Sequence, residues 1–183
     1  MTGRSESRLP ERRRDGIAVA FLLLLFLAQW SRFVLSDRIF YFRDLSFFSA
    51  PLLVEVAQQW RSGHFPSWNT HLACGAPLAA NPNAGVFFPD SWLVPLFGGW
   101  LEGVKLLLLA RLLLIPLAAY AAMRSVKIGP AGAFLTATAV SLSGPVATTL
   151  SSFPAHLAGT IVFLPLAAAG ARLASDAGTR RPA

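Results

Sequence analysis

Residues 11–36 read ERRRDGIAVAFLLLLFLAQWSRFVLS, and the fold turns on how this stretch is read. Residues 17–28 contain only Ile, Ala, Val, Phe and Leu. A surface helix of a soluble domain keeps a polar face that recurs every three to four positions; this run has none, and it is long and unbroken. A helix needs about 20 residues to cross about 30 Å of hydrocarbon. Residues 16–35 reach that length, with Trp30 placed for an interfacial belt and Arg32 near enough to the end to snorkel. A cleaved signal peptide is the rival reading, and the basic flank suits it. No A-x-A-like site follows, however, and bulky Gln29-Trp30 stands where cleavage would fall, so an uncleaved first span is expected.

Working outward, the rest of the chain repeats the theme. Hydrophobic residues make up 54% and charged residues 14% of the 183 positions, where a soluble domain carries about a quarter charged. Residues 106–123, 131–150 and 156–173 read as three further spans. The third is rich in small residues: Gly129, Gly132, Ala133 and Ala137 allow close helix approach, and Gly144-Pro145 is expected to kink or end it. Pro165 falls inside the fourth. The expected fold class is therefore an all-α polytopic membrane protein. About four transmembrane helices are joined by a large extracytoplasmic loop, residues 36–105, between the first and the second.

Charge placement orients this arrangement. The net charge is +7, but the basic residues do not form one patch. Arg4, Arg8, Arg12, Arg13 and Arg14 lie in the tail of residues 1–15, Arg124 and Lys127 in a short gap, and Arg172, Arg180 and Arg181 near the end. Under the positive-inside rule these are cytoplasmic flanks, so the N-terminus is expected inside a bacterial cytoplasmic membrane. A nucleic-acid partner would want a continuous basic face, and none is expected. Residues 1–15 read as a polar tail without structure of its own. Residues 174–183 form a second, small polar tail just past a span, as expected of the N-terminal part of a longer protein.

The loop carries almost all the chemistry: Asp37, Asp44, Glu55, Asp90, Glu102, two of three histidines and four of five tryptophans. Residues 47–62 have Leu52, Val56 and Trp60 at i, i+4 and i+8, which predicts a helix lying along the membrane surface. Pro51 suits its first turn and Gly63 its end. Residues 64–95 carry Pro66, Pro77, Pro82, Pro89 and Pro95 with Gly75 and Gly85, interleaved with aromatics, which predicts ordered turns. Residues 91–100 read as a second short interfacial element.

Each candidate residue has two readings. Asp44, among aromatics in FRDLSFF (residues 42–48), is either a partly desolvated general base or a turn cap paired with Arg43. Arg111, inside the second span, either binds a lipid phosphate through its planar fork or snorkels to the span's end. Trp60, Trp68, Trp92 and Trp100 either stack on sugar rings or form an interfacial belt. Asn69, Asn81 and Asn83 either hydrogen-bond a polyol or shape turns. His64, His71 and His156 share no ligand spacing, the single Cys74 has no CxxC partner, and neither a metal nor another cofactor is expected. No hydrolase or phosphate-loop motif occurs in the sequence.

Asp44, Pro51, RSGHFPSWN (residues 61–69) and GAPLAANPNAGVFFP (residues 75–89), in that order, resemble the YfhO-like family of bacterial multi-pass membrane proteins. In that family an Asp follows the first span. A Gly-x-x-Pro-x-Trp-Asn stretch comes next, then Gly-x-Pro-Leu and an Asn-rich turn leading to Pro. The matching residues here are Gly63, Pro66, Trp68, Asn69, Gly75, Pro77, Leu78, Asn81 and Pro89. Leu142-Ser143-Gly144, Pro154, His156 and Leu164-Pro165-Leu166 resemble parts of the family's third and fourth spans. Leu45 departs from the small residue that the family places after its Asp.

The resemblance implies a GT-C-type glycosyltransferase, longer than this chain. Such an enzyme moves a sugar from a polyprenyl-phosphate donor to a cell-envelope glycan or lipid acceptor on the extracytoplasmic side. Asp44 would then be the catalytic acidic residue of the first outer loop. Arg43 and Arg111 as phosphate neighbours, and Trp68, Asn69 and Asn81 as sugar contacts, follow from residue chemistry and not from the family. The other expectation is a non-catalytic transporter, export or scaffold fragment, for which Arg111 and the broken helices speak.

Overall fold

The computed structural model describes residues 10–36, 44–72, 74–96, 100–144, 146, 162 and 164–179. The described chain is mostly helical: α1 (Glu11–Val34), α2 (Ala50–Arg61), α3 (Trp100–Ser125), α4 (Pro130–Ser141) and α5 (Leu164–Thr179), with one two-stranded ribbon, β1 (Trp68–Asn69) and β2 (Ala76–Pro77). Two helical stretches, α1 and Glu102–Ser125 of α3, are long and apolar enough to cross a membrane by length and composition.

α1 and α3 run antiparallel, tied at both ends. At one end Arg124 pairs with Asp15 at 2.8 Å and reaches Glu11 at 3.9 Å, while the Tyr120 hydroxyl donates to Asp15. At the other end the Lys105 ammonium donates to the carbonyls of Val34 and Ser36, and lies 5.5 Å from the Phe33 ring centre. A cation beside the last carbonyls of α1 suits the negative end of its dipole. Nineteen residues separate Asp15 from Val34 and Lys105 from Arg124, about 28 Å of helix at 1.5 Å per residue.

Residues 11–15 were expected as an unstructured tail, yet they form the opening turns of α1. Glu11 suits a helix N-terminus, and the ties to Arg124 give this turn a partner. Residues 1–9 lie outside the described residues.

Small side chains let the helices close up. Ala18 and Leu22 of α1, Tyr120 of α3, and Ala133 and Ala137 of α4 form one buried cluster. Ala133 and Ala137 are wholly covered, as their small size leads one to expect. α3 turns into α4 through a Schellman-type end: the Ile128 amide donates to Met123 and the Lys127 amide to Arg124, with Lys127 at φ 65°. The Arg124 guanidinium donates to the Ile128 carbonyl across the same turn.

The third and fourth expected spans are only partly described. α4 has 12 residues and is capped at Leu142, before Gly144; residues 147–161 lie outside the described residues. α5 begins at Leu164 and runs six residues past the expected end at 173. The alanine-rich stretch after Pro165 favours helix.

Between α1 and α3 the chain builds a cap. A π-helical turn, Leu45–Ser49, leads into α2, which has two apolar faces. Leu53 and Ala57 pack with Leu45, Val94, Val104, Leu107 and Leu108, joining the cap to α3. Leu52 and Val56 pack with Leu78, Ala84 and Val86 of the turns, and Trp60 lies against them. Where one apolar face was expected, α2 has two, and its own chain covers both. Gly63 ends it: its amide donates to Trp60 and that of His64 to Gln59, at a φ of 76° that glycine adopts without strain. The expected element over 91–100 is a 3₁₀ helix, Pro89–Leu96. The Arg61 guanidinium grips it, donating to Pro95 at 2.7 Å and Val94 at 3.5 Å.

The joint between cap and α3 depends on Gly103, where a Cβ would come within 2.7 Å of the Val94 carbonyl oxygen and 3.1 Å of its Cα. Backbone cannot give way as a side chain can. Gly103→Ala should lower stability by about 1–3 kcal/mol, measured by thermal unfolding in detergent. A shift within error would mean that the cap does not seat closely on α3.

Candidate functional site

α3 carries its buried side chains at helical spacing: Val104, Leu107, Leu108, Arg111, Leu112, Ile115 and Ala118. Arg111 occupies a position that the pattern reserves for an apolar residue and is 1% exposed, the largest fully buried side chain described. It stands six residues past Lys105, about 9 Å along the axis. The snorkelling alternative does not survive, because protein covers the side chain. A buried charge is costly unless it is paired and hydrogen-bonded, which makes Arg111 a position to examine for function.

Asp44 is set against the same region. Leu45 beside it is 1% exposed and packs with Leu107 and Leu108, one turn before Arg111 on the same stripe. Asp44 is half-buried and precedes the π-helical turn, but its side chain makes no capping hydrogen bond there. Arg43 lies outside the described residues.

Trp68, Asn69 and Asn81 belong to the turns of the cap, and Asn69 and Asn81 shape those turns with their side chains. Trp68 pairs with Pro77 and Asn69 with Ala76 in the ribbon. The Trp68 carbonyl accepts from Gln59 Nε2 at 2.7 Å, which fastens the ribbon to α2. Gly75 lies beneath the Trp68 indole at φ 117°, and a Cβ there would be 2.8 Å from Nε1. Asn69 is 6% exposed, and its Oδ1 accepts from the His71 amide at 2.8 Å. Asn81 Oδ1 accepts from the Asn83 amide at 3.0 Å and opens a short 3₁₀ turn. Both are Asx turns. Asn81 also lines an open hollow of about 460 Å³ with Pro82, Gly85 and Phe87.

The tryptophans divide. Trp60 sits edge-on to Phe65 at 5.7 Å and to Trp92 at 6.0 Å, so it is an internal ring of the cap. Phe65, Phe87 and Trp92 remain at least half exposed. Trp60 Nε1, Asn83 Oδ1 and Ser91 Oγ are buried without a hydrogen-bond partner among the described residues. No group of three or more His, Cys, Asp or Glu that could hold a metal occurs among the described residues.

The structure thus sets Leu45, next to Asp44, against the stripe of α3 that carries Arg111 one turn further on, and gathers Trp68, Asn69 and Asn81 into the cap's turns. Sequence reading missed Gln59, Arg61 and Lys105, which hold the cap and α1 in place. Their partners are backbone carbonyls, and these leave no trace in a side-chain pattern.

Gly75→Ala tests whether the ribbon is as tight as described. The strained φ and the indole contact together should cost about 1–3 kcal/mol. Unfolding followed by tryptophan emission checks this, and an unchanged midpoint would contradict the packing. No family model matches the chain, and neither does any curated protein or solved structure.

Proposed function

We propose that the chain is the capped, four-pass part of a bacterial cytoplasmic-membrane glycosyltransferase-like protein, with its N-terminus inside and its cap outside. Three observations support the membrane reading. The polar ties of α1 and α3 stand about 28 Å apart along the helices, close to the hydrocarbon thickness. Phe21, Leu24 and Leu27 leave an apolar stripe of α1 exposed, a liability in water. Arg172, Ser175 and Asp176 of α5 line a hollow with Ser125, Val126 and Lys127, so the basic flanks of α1, α3 and α5 gather at one end.

The chemistry proposed is sugar transfer from a polyprenyl-phosphate donor to an envelope acceptor. The observation that carries it is a half-buried carboxylate whose neighbour, Leu45, packs in one cluster with Leu107 and Leu108, one helical turn before a fully buried guanidinium on the same stripe of α3. Asp44 takes the proton of an acceptor hydroxyl as that oxygen attacks the sugar's anomeric carbon. The phosphate oxygen departs with the electrons of the broken bond, and the configuration inverts. Arg111, with Arg43, offers planar donors to the departing phosphate. Trp68, Asn69 and Asn81 act here chiefly as the frame of the cap.

A transporter, export or scaffold role is the second reading. Pro116 inside α3 and the early end of α4 favour it, since interrupted helices recur at transport sites.

Membranes carrying the protein, supplied with labelled sugar on polyprenyl phosphate, distinguish the two. Asp44→Asn should cut transfer by about 10²–10⁴-fold, the usual contribution of a general base, with expression unchanged. Transfer at the wild-type rate would remove Asp44 from the mechanism. Transfer by neither protein across a panel of donors would favour the second reading.

A further inference from the structure

A groove of about 600 Å³ runs between the N-terminal turns of α1 and α4. Arg14 stands at its end, and Ile17, Ala18, Phe21, Gly132 and Phe134 form its walls. Phe21 and Phe134 meet edge to face at 6.5 Å and make its floor. Ile17 and Phe21 are 42% and 57% exposed. The groove is graded along its length. Seven residues separate Arg14 from Phe21, about 10 Å along the axis, and over that distance the lining passes from cationic to wholly apolar.

Electrostatics at the cationic end are one-sided. Asp15 is paired with Arg124, and Glu11 lies 3.9 Å from the same guanidinium. Arg14 has no ion-pair partner among the described residues. Arg12, Arg13 and Lys127 are exposed at the same end. A neighbouring apolar helix would leave Arg14 unpaired. An amphiphile with an anionic head and an apolar tail fits both halves of the gradient.

We infer that this groove is a binding site for one anionic phospholipid of the cytoplasmic leaflet. The headgroup phosphate lies against Arg14 and an acyl chain along Ile17, Phe21 and Phe134. The inference rests on the membrane reading, and it does not depend on the sugar-transfer chemistry. A guanidinium matches two phosphate oxygens at once, and basic residues at a membrane surface favour anionic over neutral lipids.

The test reconstitutes the chain into nanodiscs of equal phosphatidylglycerol and phosphatidylcholine, then counts retained lipids by native mass spectrometry. Wild type should keep one phosphatidylglycerol in preference to phosphatidylcholine. Arg14→Gln should lower that preference about five-fold, and Phe21→Ala should lower total retention. Arg172→Gln, a basic residue of the same end outside the groove, should leave both unchanged. Equal retention of the two lipids by wild type, or an equal effect of Arg14→Gln and Arg172→Gln, would overturn the inference. So would a mass corresponding to a second copy of the chain in the groove. A carbonate wash of the source membranes is run alongside. Release of the chain there would count against the membrane reading itself, and so against the site built on it.

Discussion

Two polar ties set the distance that the rest of the molecule obeys. Asp15 meets Arg124 and Tyr120 at one end of the α1–α3 pair, and Lys105 meets the last carbonyls of α1 at the other. Between them the two helices touch through Phe26, Leu112, Ile115 and Ala118, and Arg111 is the only ionisable group of α3 in that interval apart from Tyr120. In hydrocarbon the hydrophobic effect does not drive helices together; close packing and polar contacts at their ends do. In keeping with that, Ala18, Ala133 and Ala137 bring α1 and α4 close, with the Phe21–Phe134 ring pair beside them, and ion pairs tie the helix ends.

The cap depends on the same pair. It leaves α1, returns at α3, and is seated by Leu45, Leu53 and Val94 against Leu107 and Leu108. Its internal order comes from α2, which presents one face to α3 and the other to the turns. Gln59 and Arg61 then extend the grip of α2 through carbonyls of the ribbon and the 3₁₀ helix. A loop so held keeps Asp44 in a fixed relation to α3. Sugar transfer would need that rigidity, because a misplaced base loses most of its effect.

Much of this was legible in the sequence, for particular physical reasons. Residues 17–28 and 106–123 announce their helices because no polar residue but Arg111 and Tyr120 interrupts them. Gly63 announced the end of α2, and Ala133 and Ala137 the close approach of α4, because one constraint per residue decides each. The helical opening of α1 at residues 11–15 was not legible. Its arginines read as a flank, and Asp15 finds its partners about a hundred residues away. Nor was the second apolar face of α2: Leu53 and Ala57 are ordinary helix residues until α3 is placed beside them. Asn69 and Asn81 show the limit for sites. An amide suited to a sugar suits an Asx turn equally, and only the position of the next amide but one tells which it serves. Asp44 and Arg111 could be named as candidates, but the packing of Leu45, next to Asp44, against Leu107 and Leu108 of α3 is a tertiary fact.

The central claim is that α1 and α3 cross a bilayer and hold the cap on its outer side. Cys74, the only cysteine, is exposed on the cap, and Val126 is exposed in the turn at the opposite end. Labelling with a membrane-impermeant maleimide tests the claim directly. In intact spheroplasts the native protein should label at Cys74 without permeabilisation. A Val126→Cys variant in a Cys74→Ser background should label only after it. Protection of Cys74 until the membrane is opened, or equal labelling of both positions in intact cells, would contradict the account.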